Sequence, residues 1–357
     1  MKAVKGRMVV LCPVDRMLKG VPGHLLYGAP YLEEEASKQG VNLQVRYLYY
    51  TRRGYSRWML IKLNLMLACR ILMVSHDVLY NMIDPDYLFL LALLKRIGLY
   101  RKRMFAWKYT AISPTGSWLG DAMKRLFYNR FERLFLMSES HVQLSADGGL
   151  VPKSRLQFMR WGRDLDYVDG IPTKREEPFT FITTGIAYRD FETLCKAFVM
   201  VKGARLKIVT VRSWGGTAYA AYLDTVKNPD VTVIYVDNSK DRAAVVRYVF
   251  QEMKQSHVAL SICQDVSFGV GYTQVLDSLA CSLPIIATYN VDSPMDIDQL
   301  KVGMTVPAYD VEALARAMQQ MVDDRQLFES YALQARKVME QQYDIRSVTK
   351  EIIDVLR

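Results

Sequence analysis

The chain has 357 residues, half of them hydrophobic, and a net charge of +10. That is long enough for two domains of about 170 to 180 residues, each with its own core. No apolar run reaches the ~18 residues of a membrane span. Five cysteines and four histidines are scattered without disulfide or metal-ligand spacing, and the short apolar piece at the N-terminus does not make a signal peptide. A reduced cytoplasmic protein with no metal site is the expectation.

The charge is uneven. Residues 1–170 hold 26 Lys and Arg against 14 Asp and Glu, so the basic surplus belongs to the N-terminal half. Its densest parts are Arg52, Arg53 and Arg57, then Lys95, Arg96, Arg101, Lys102 and Arg103, interleaved with Tyr, Trp and Leu. Such patches suit an anionic membrane surface or a polyphosphate acceptor; a solvated face is the plain alternative. Nucleic acid is not expected as a partner.

In chain order, residues 8–12 read as a strand, followed by a loop with Gly20, Pro22 and Gly23 and a helix over 25–39 with His24 at its start. A strand is expected over 42–49, a helix over 56–69, a strand over 71–74 with its exit loop at 75–87, and a helix over 87–97. A strand at 104–107 ends in Lys108 and Tyr109. A helix near 120–130, a strand at 133–137, a helix from 139 and a strand at 156–159 complete the first half. This alternation predicts a parallel sheet covered on both faces. The polar, Gly- and Pro-containing stretch 160–175 reads as an interdomain linker.

The second half restarts the pattern. A strand over 179–184 leads through Gly185 to a helix from Asp190, and Arg189 just before that helix could hold a phosphate bidentately; a surface arginine beside a helix cap is the alternative. Strands follow at 205–211, ending at Arg212, and at 231–236, where Val236 and Asp237 begin an exit loop. Next come a helix over 241–254, a strand at 257–262, and three helical segments in the tail at 311–322, 325–341 and 345–356. The expected division is 1–165, 176–341, and a closing helix at 342–357.

The stretch 267–288, SFGVGYTQVLDSLACSLPIIAT, organises the second half as loop, helix and strand. A helix opened by Gly269 and Gly271 presents free N–H groups and the positive end of its dipole to an anion. Tyr272, Thr273 and Gln274 form its first turn. Thr273 and Asp277, four apart, share the face opposite the Leu276, Leu279 and Leu283 stripe. A carboxylate one turn in from a pyrophosphate is placed to accept hydrogen bonds from a ribose diol. On that view Asp277→Ala weakens nucleotide binding with little loss of stability.

This stretch resembles the C-terminal signature of family 4 glycosyltransferases. The match is Gly271, Thr273, Leu276, Asp277, Ser278, Leu279 and Ala280, then the run 284–288. The resemblance implies the GT-B fold: two Rossmann-like domains facing each other across a cleft, with a C-terminal helix crossing back to the first. It also implies transfer of a sugar from a nucleotide-diphosphate donor to a glycan or lipid-linked glycan, with retention and without a metal or other cofactor. Arg189 then matches a phosphate-gripping lysine, Arg212, Val236 and Asp237 lie on the nucleotide side, and Gly20, Gly23 and His24 face the acceptor.

The chain departs from the family at three places. Gly269 stands where an acid is frequent, Ile186 where an arginine is usual, and Lys108 with Tyr109 where a histidine often faces the sugar. Lys108 is the catalytic candidate there on position alone, beside Arg189 and Asp277. A sugar-nucleotide epimerase and a GT-B binding protein without chemistry are the alternatives.

Overall fold

In the computed structural model the described residues are 7–12, 29–47, 57–82, 85–175, 177–237, 241–266 and 268–357. The first parallel sheet is built from β1 (Arg7–Cys12), β2 (Asn42–Tyr47), β3 (Val78–Asn81), β4 (Arg103–Lys108), β5 (Arg133–Leu136) and β6 (Leu156–Phe158). The intervening helices are α1 (Ala29–Lys38), α2 (Arg57–Leu72), α3 (Phe89–Arg96), α4 (Trp118–Tyr128) and α5 (Glu139–Asp147). The order is β2-β1-β3-β4-β5-β6. All of β3 and the middle of β4 are buried, as expected of strands with helices on both faces.

The second unit, Arg163–Asp344, opens with α6 (Leu165–Asp169) and continues β7 (Phe179–Thr184), α7 (Phe191–Phe198), β8 (Ala204–Thr210), α8 (Tyr219–Leu223) and β9 (Val231–Tyr235). Then come α9 (Arg242–Lys254), β10 (Val258–Ser261), α10 (Tyr272–Ala280), β11 (Ile285–Thr288), β12 (Gly303–Val306), α11 (Val311–Asp323) and α12 (Arg325–Val338). Its sheet is again parallel, in the order β12-β11-β10-β7-β8-β9. The chain first builds outward from β7 to β9, then returns to place β10 on the other side of β7. The carboxyl ends of β7 and β10 therefore flank the switch point, where open α/β sheets form a ligand crevice.

The last helix, α13 (Ile345–Leu356), belongs to the first unit and packs on α1. Arg103 donates to the carbonyls of Leu356 and Arg357, at 2.5 and 3.0 Å, and ties it to β4. The chain thus leaves the first unit after Gly162 and re-enters it at Ile345.

Two expectations are corrected. Residues 71–74 are not a strand: α2 runs on to Leu72, and the strand is Val78–Asn81. A short apolar run cannot by itself tell a buried strand from a helix end, and Leu72 and Met73 are in fact exposed. Nor is 160–175 a free linker. Leu165 and Val168 of α6 are buried, and Asp169 holds Arg336 through both carboxylate oxygens at 2.7 and 2.8 Å. The polarity of this stretch is spent on pairing within the second unit.

Candidate functional site

Five described helices of the second unit begin with an aspartate: Asp164, Asp190, Asp241, Asp310 and Asp324 each accept a first-turn backbone N–H of α6, α7, α9, α11 and α12. α10 does not. Its N-cap is Gly271 in the left-handed region, φ 77°, with no side chain to accept a hydrogen bond. The positive end of its dipole is left for something else.

What lies beside it is a cation. Arg189, in the exit loop of β7, pairs as an isolated bridge with Cys263 at the exit of β10, and the Asp190 N–H donates to the Ile262 carbonyl at 3.1 Å. The Arg189 side chain is therefore drawn under the switch point, only 4% exposed, rather than standing on the surface. Nη1 donates to Ser261 Oγ at 3.2 Å and to Cys263 Sγ at 2.6 Å, and Nε is buried with no partner. Among the described residues no carboxylate forms an ion pair with it. An uncompensated buried charge costs several kcal/mol, and a negative ligand would offset that cost.

The two glycines follow from this guanidinium. Gly185 has φ 119° and Gly271 φ 77°. A Cβ on Gly185 would collide with the Arg189 guanidinium; one on Gly271 would overlap Ser261 Oγ and lie 3.2 Å from Arg189 Nη1. Both positions need the left-handed backbone and the missing side chain.

One turn into α10, Asp277 Oδ1 accepts from Arg163 Nε at 2.5 Å. Arg163 is 2% exposed, and its Nη2 donates to the Thr273 carbonyl at 3.2 Å. Arg163 was missed in the sequence because it lies in the stretch read as linker. Asp277 keeps 15% of its side chain exposed, on the same helix face as Thr273.

The other predicted residues divide. Gln274 is turned inward, 2% exposed, with its amide donating to the Leu260 carbonyl at 3.0 Å, and Tyr272 is 6% exposed. The Gln274 amide thus ties α10 to β10. The Val236 N–H is committed to the Thr210 carbonyl at 2.8 Å, which leaves its carbonyl. Arg212 is exposed, paired with Asp224 at 2.9 Å and lying over the Tyr235 ring at 4.5 Å; Asp237 is exposed beyond β9. Lys108 ends β4 in the first unit. Gly20, Gly23 and His24 lie outside the described residues.

The departures also have physical reasons. A Cβ on Gly269 would sit 2.9 Å from the Asp292 carbonyl, so this loop has no room for an acidic side chain there. The Ile186 carbonyl accepts from Tyr219 Oη at 3.0 Å, fixing the β7 exit loop by its backbone. Tyr188 adopts φ 53°, a strained value for a residue with a side chain, and its ring lies 5.0 Å from Trp214 and 5.2 Å from Phe268. Beyond Cys263 a cavity of about 150 Å³ opens between Thr288, Asn290 and Val270. Nothing in the spacing of these residues marked them.

With this geometry in place, whole-chain likenesses are informative. A glycosyltransferase from Rickettsia africae ESF-5 is 12% identical and superposes over 99% of this chain and 98% of its own, with a TM-score of 0.71. The fold is GT-B. Anabaena Alr3699/HepE in complex with UDP shares this GT-B architecture at 13% identity, over 98% of this chain and 99% of its own, TM-score 0.65. So does the UDP-GlcNAc 2-epimerase from Neisseria meningitidis bound to UDP-GlcNAc, at 11% identity, 98% and 99% coverage and TM-score 0.61. No protein-family model matches the chain and no curated protein matches its sequence. A GT-B fold by itself does not choose between transfer and epimerisation.

Proposed function

We propose that this chain is a glycosyltransferase that moves a sugar from a nucleotide-diphosphate donor to a glycan or lipid-linked glycan, in cell-surface polysaccharide or glycolipid synthesis. The observation that carries the reading is the buried Arg189 guanidinium, without a carboxylate partner among the described residues, beside the uncapped start of α10 at the switch point. A diphosphate supplies the missing negative charge and satisfies both. The likeness of α10 to the family 4 signature, and the UDP and UDP-glucose complexes of the Anabaena protein, support the same donor class.

In this reading Arg189, the first-turn N–H groups of α10 and the Thr273 hydroxyl stabilise the charge that grows on the leaving diphosphate. Asp277 accepts from the donor's pentose, and the carbonyl of Val236 and the backbone beside Asp237 face the base. The bond from the anomeric carbon to the phosphate oxygen breaks as the acceptor oxygen bonds to that carbon on the same face. The acceptor's proton passes to the leaving diphosphate, so configuration is retained, no separate general base is assigned, and no metal or other cofactor is required. Lys108, at the carboxyl end of β4, is the candidate from the first unit for contact with the reacting sugar.

The epimerase alternative calls for histidine and carboxylate side chains at the reacting carbon. Two of the described histidines are engaged within their own units: His76 bonds Tyr100 and His257 accepts the Thr180 N–H. A thermal-shift screen of UDP, GDP, TDP and ADP sugars, followed by product analysis, tests the proposal. A transferase releases nucleoside diphosphate and slowly hydrolyses its donor; an epimerase returns an isomeric nucleotide sugar; a binding protein leaves the donor intact.

A further inference from the structure

On the first unit, α3 packs between α2 and α4. Asn64 of α2 accepts the Leu90 N–H at 3.4 Å, and the Phe89 and Phe127 rings are 5.8 Å apart. The outer side of this helix layer is apolar and uncovered. Trp58 is 80% exposed, Ile61 59%, Leu65 55%, Ile97 61%, Trp118 82% and Leu119 58%. Residues 58–62 are exposed without interruption, so more than a full turn of α2 stands clear of its own unit. A soluble surface seldom leaves so much apolar side chain on one helix layer in water unless it meets a partner.

The charge on the same layer says which partner. α2, α3 and α4 together carry seven Lys and Arg and one acid, Asp121. That acid is occupied, accepting the Thr115 N–H at 2.7 Å. Lys62, Arg70, Arg96 and Arg125 are exposed around the apolar side chains. Exposed tryptophans with flanking cations are the composition that settles at a headgroup boundary. A second copy of the chain fits poorly, because a two-fold contact would set this cationic face against itself. Among the described residues no helix is long and apolar enough to cross a membrane, so the contact is one of lying on the bilayer.

We propose that the α2–α3–α4 face docks the protein on an anionic phospholipid bilayer, Trp58, Ile61 and Trp118 entering the headgroup region while Lys62, Arg70, Arg96 and Arg125 meet its phosphates. This stands independently of the transferase reading, since it uses the first unit's surface alone.

Co-sedimentation of the full chain with phosphatidylcholine vesicles, with and without phosphatidylglycerol, tests it. Binding is expected to be at least ~100-fold tighter with the anionic lipid and to weaken as salt is raised. The double variant Ile61→Glu with Trp118→Glu is expected to lose about tenfold or more of that binding while keeping its melting temperature, because both side chains are exposed. Trp58→Ser, a milder change, is expected to reduce binding in the same direction. The proposal is overturned if vesicles of both kinds sediment the protein equally or not at all, if the variants bind as tightly as the parent, or if sedimentation velocity shows a dimer that the variants dissociate.

Discussion

Asp277 and Arg163 form a buried ion pair, Oδ1 to Nε at 2.5 Å, with side-chain exposures of 15% and 1%. It argues against the sequence-based expectation that Asp277 can be removed at little cost. Asp277→Ala removes the carboxylate that the buried Arg163 Nε donates to, and breaking such a pair costs about 3–5 kcal/mol. Thermal unfolding of the single variant should show that loss. The double variant Arg163→Met with Asp277→Leu, which removes both charges, should recover most of it. A single variant as stable as the parent would mean the pair contributes nothing.

The same pair bears on how a donor is held. If Asp277 accepts from the donor's pentose as proposed, Oδ1 is already bonded to Arg163, so one pentose hydroxyl, on Oδ2, is gripped rather than two. Of the 2′-deoxy and 3′-deoxy forms of a bound nucleoside diphosphate, one should bind as tightly as the parent nucleotide. The other should lose about 10- to 100-fold, the value of one hydrogen bond to a charged group. Equal losses for both in calorimetry would show a two-oxygen grip and remove Arg163 from any part in this selectivity.

Gly271 is fixed by backbone and space together, since its φ of 77° is left-handed and a Cβ would meet Ser261 Oγ. Gly271→Ala should therefore destabilise the fold by at least about 1 kcal/mol and also weaken nucleotide binding, because it shifts the start of α10. Gly203→Ala is the control: it also has a left-handed φ, 75°, but its nearest neighbour to a new Cβ is 3.9 Å away. It should cost stability alone.

His257 predicts a pH dependence. Burial pushes its pKa below 6.5, with the charge of Arg175 acting in the same direction. In the fold its Nδ1 accepts the Thr180 N–H at 3.1 Å, which a protonated nitrogen cannot do. The unfolded chain then binds more protons than the folded one below pH about 6.5, so stability falls as pH drops through that range toward the folded pKa. Denaturant midpoints at pH 7.5 and 5.5 should show the decline, and His257→Gln, whose amide oxygen can accept the same N–H, should flatten it. Unchanged midpoints in the parent would contradict this.

Where apolar periodicity was strong, the sequence was legible. The strand Phe179–Thr184 and the helices starting at Val311, Arg325 and Ile345 stand where the pattern predicts them, because each buries a continuous apolar face. The loop–helix–strand order around α10 was readable from Gly271 and the Leu276, Leu279, Leu283 stripe. What could not be read was pairing across long sequence separations. Nothing local shows that Arg163 meets a carboxylate 114 residues away, or that Arg189 is drawn under Cys263 instead of facing solvent. Gln274 and Thr273 are neighbours on one helical turn, and only the packing of α10 on β10 decides that the first points in and the second out.

Arg189 is proposed as a buried cation kept for a diphosphate. Calorimetric titration of UDP, GDP, TDP and ADP into the parent and into Arg189→Met, with a melting curve for each, tests it most directly. At least one nucleotide should bind the parent, the variant should lose about 100-fold or more in affinity, and the variant should melt no lower, because a buried charge with no ion-pair partner among the described residues has been removed. Equal affinities in the two proteins, or a variant that is strongly destabilised yet still binds, would contradict it.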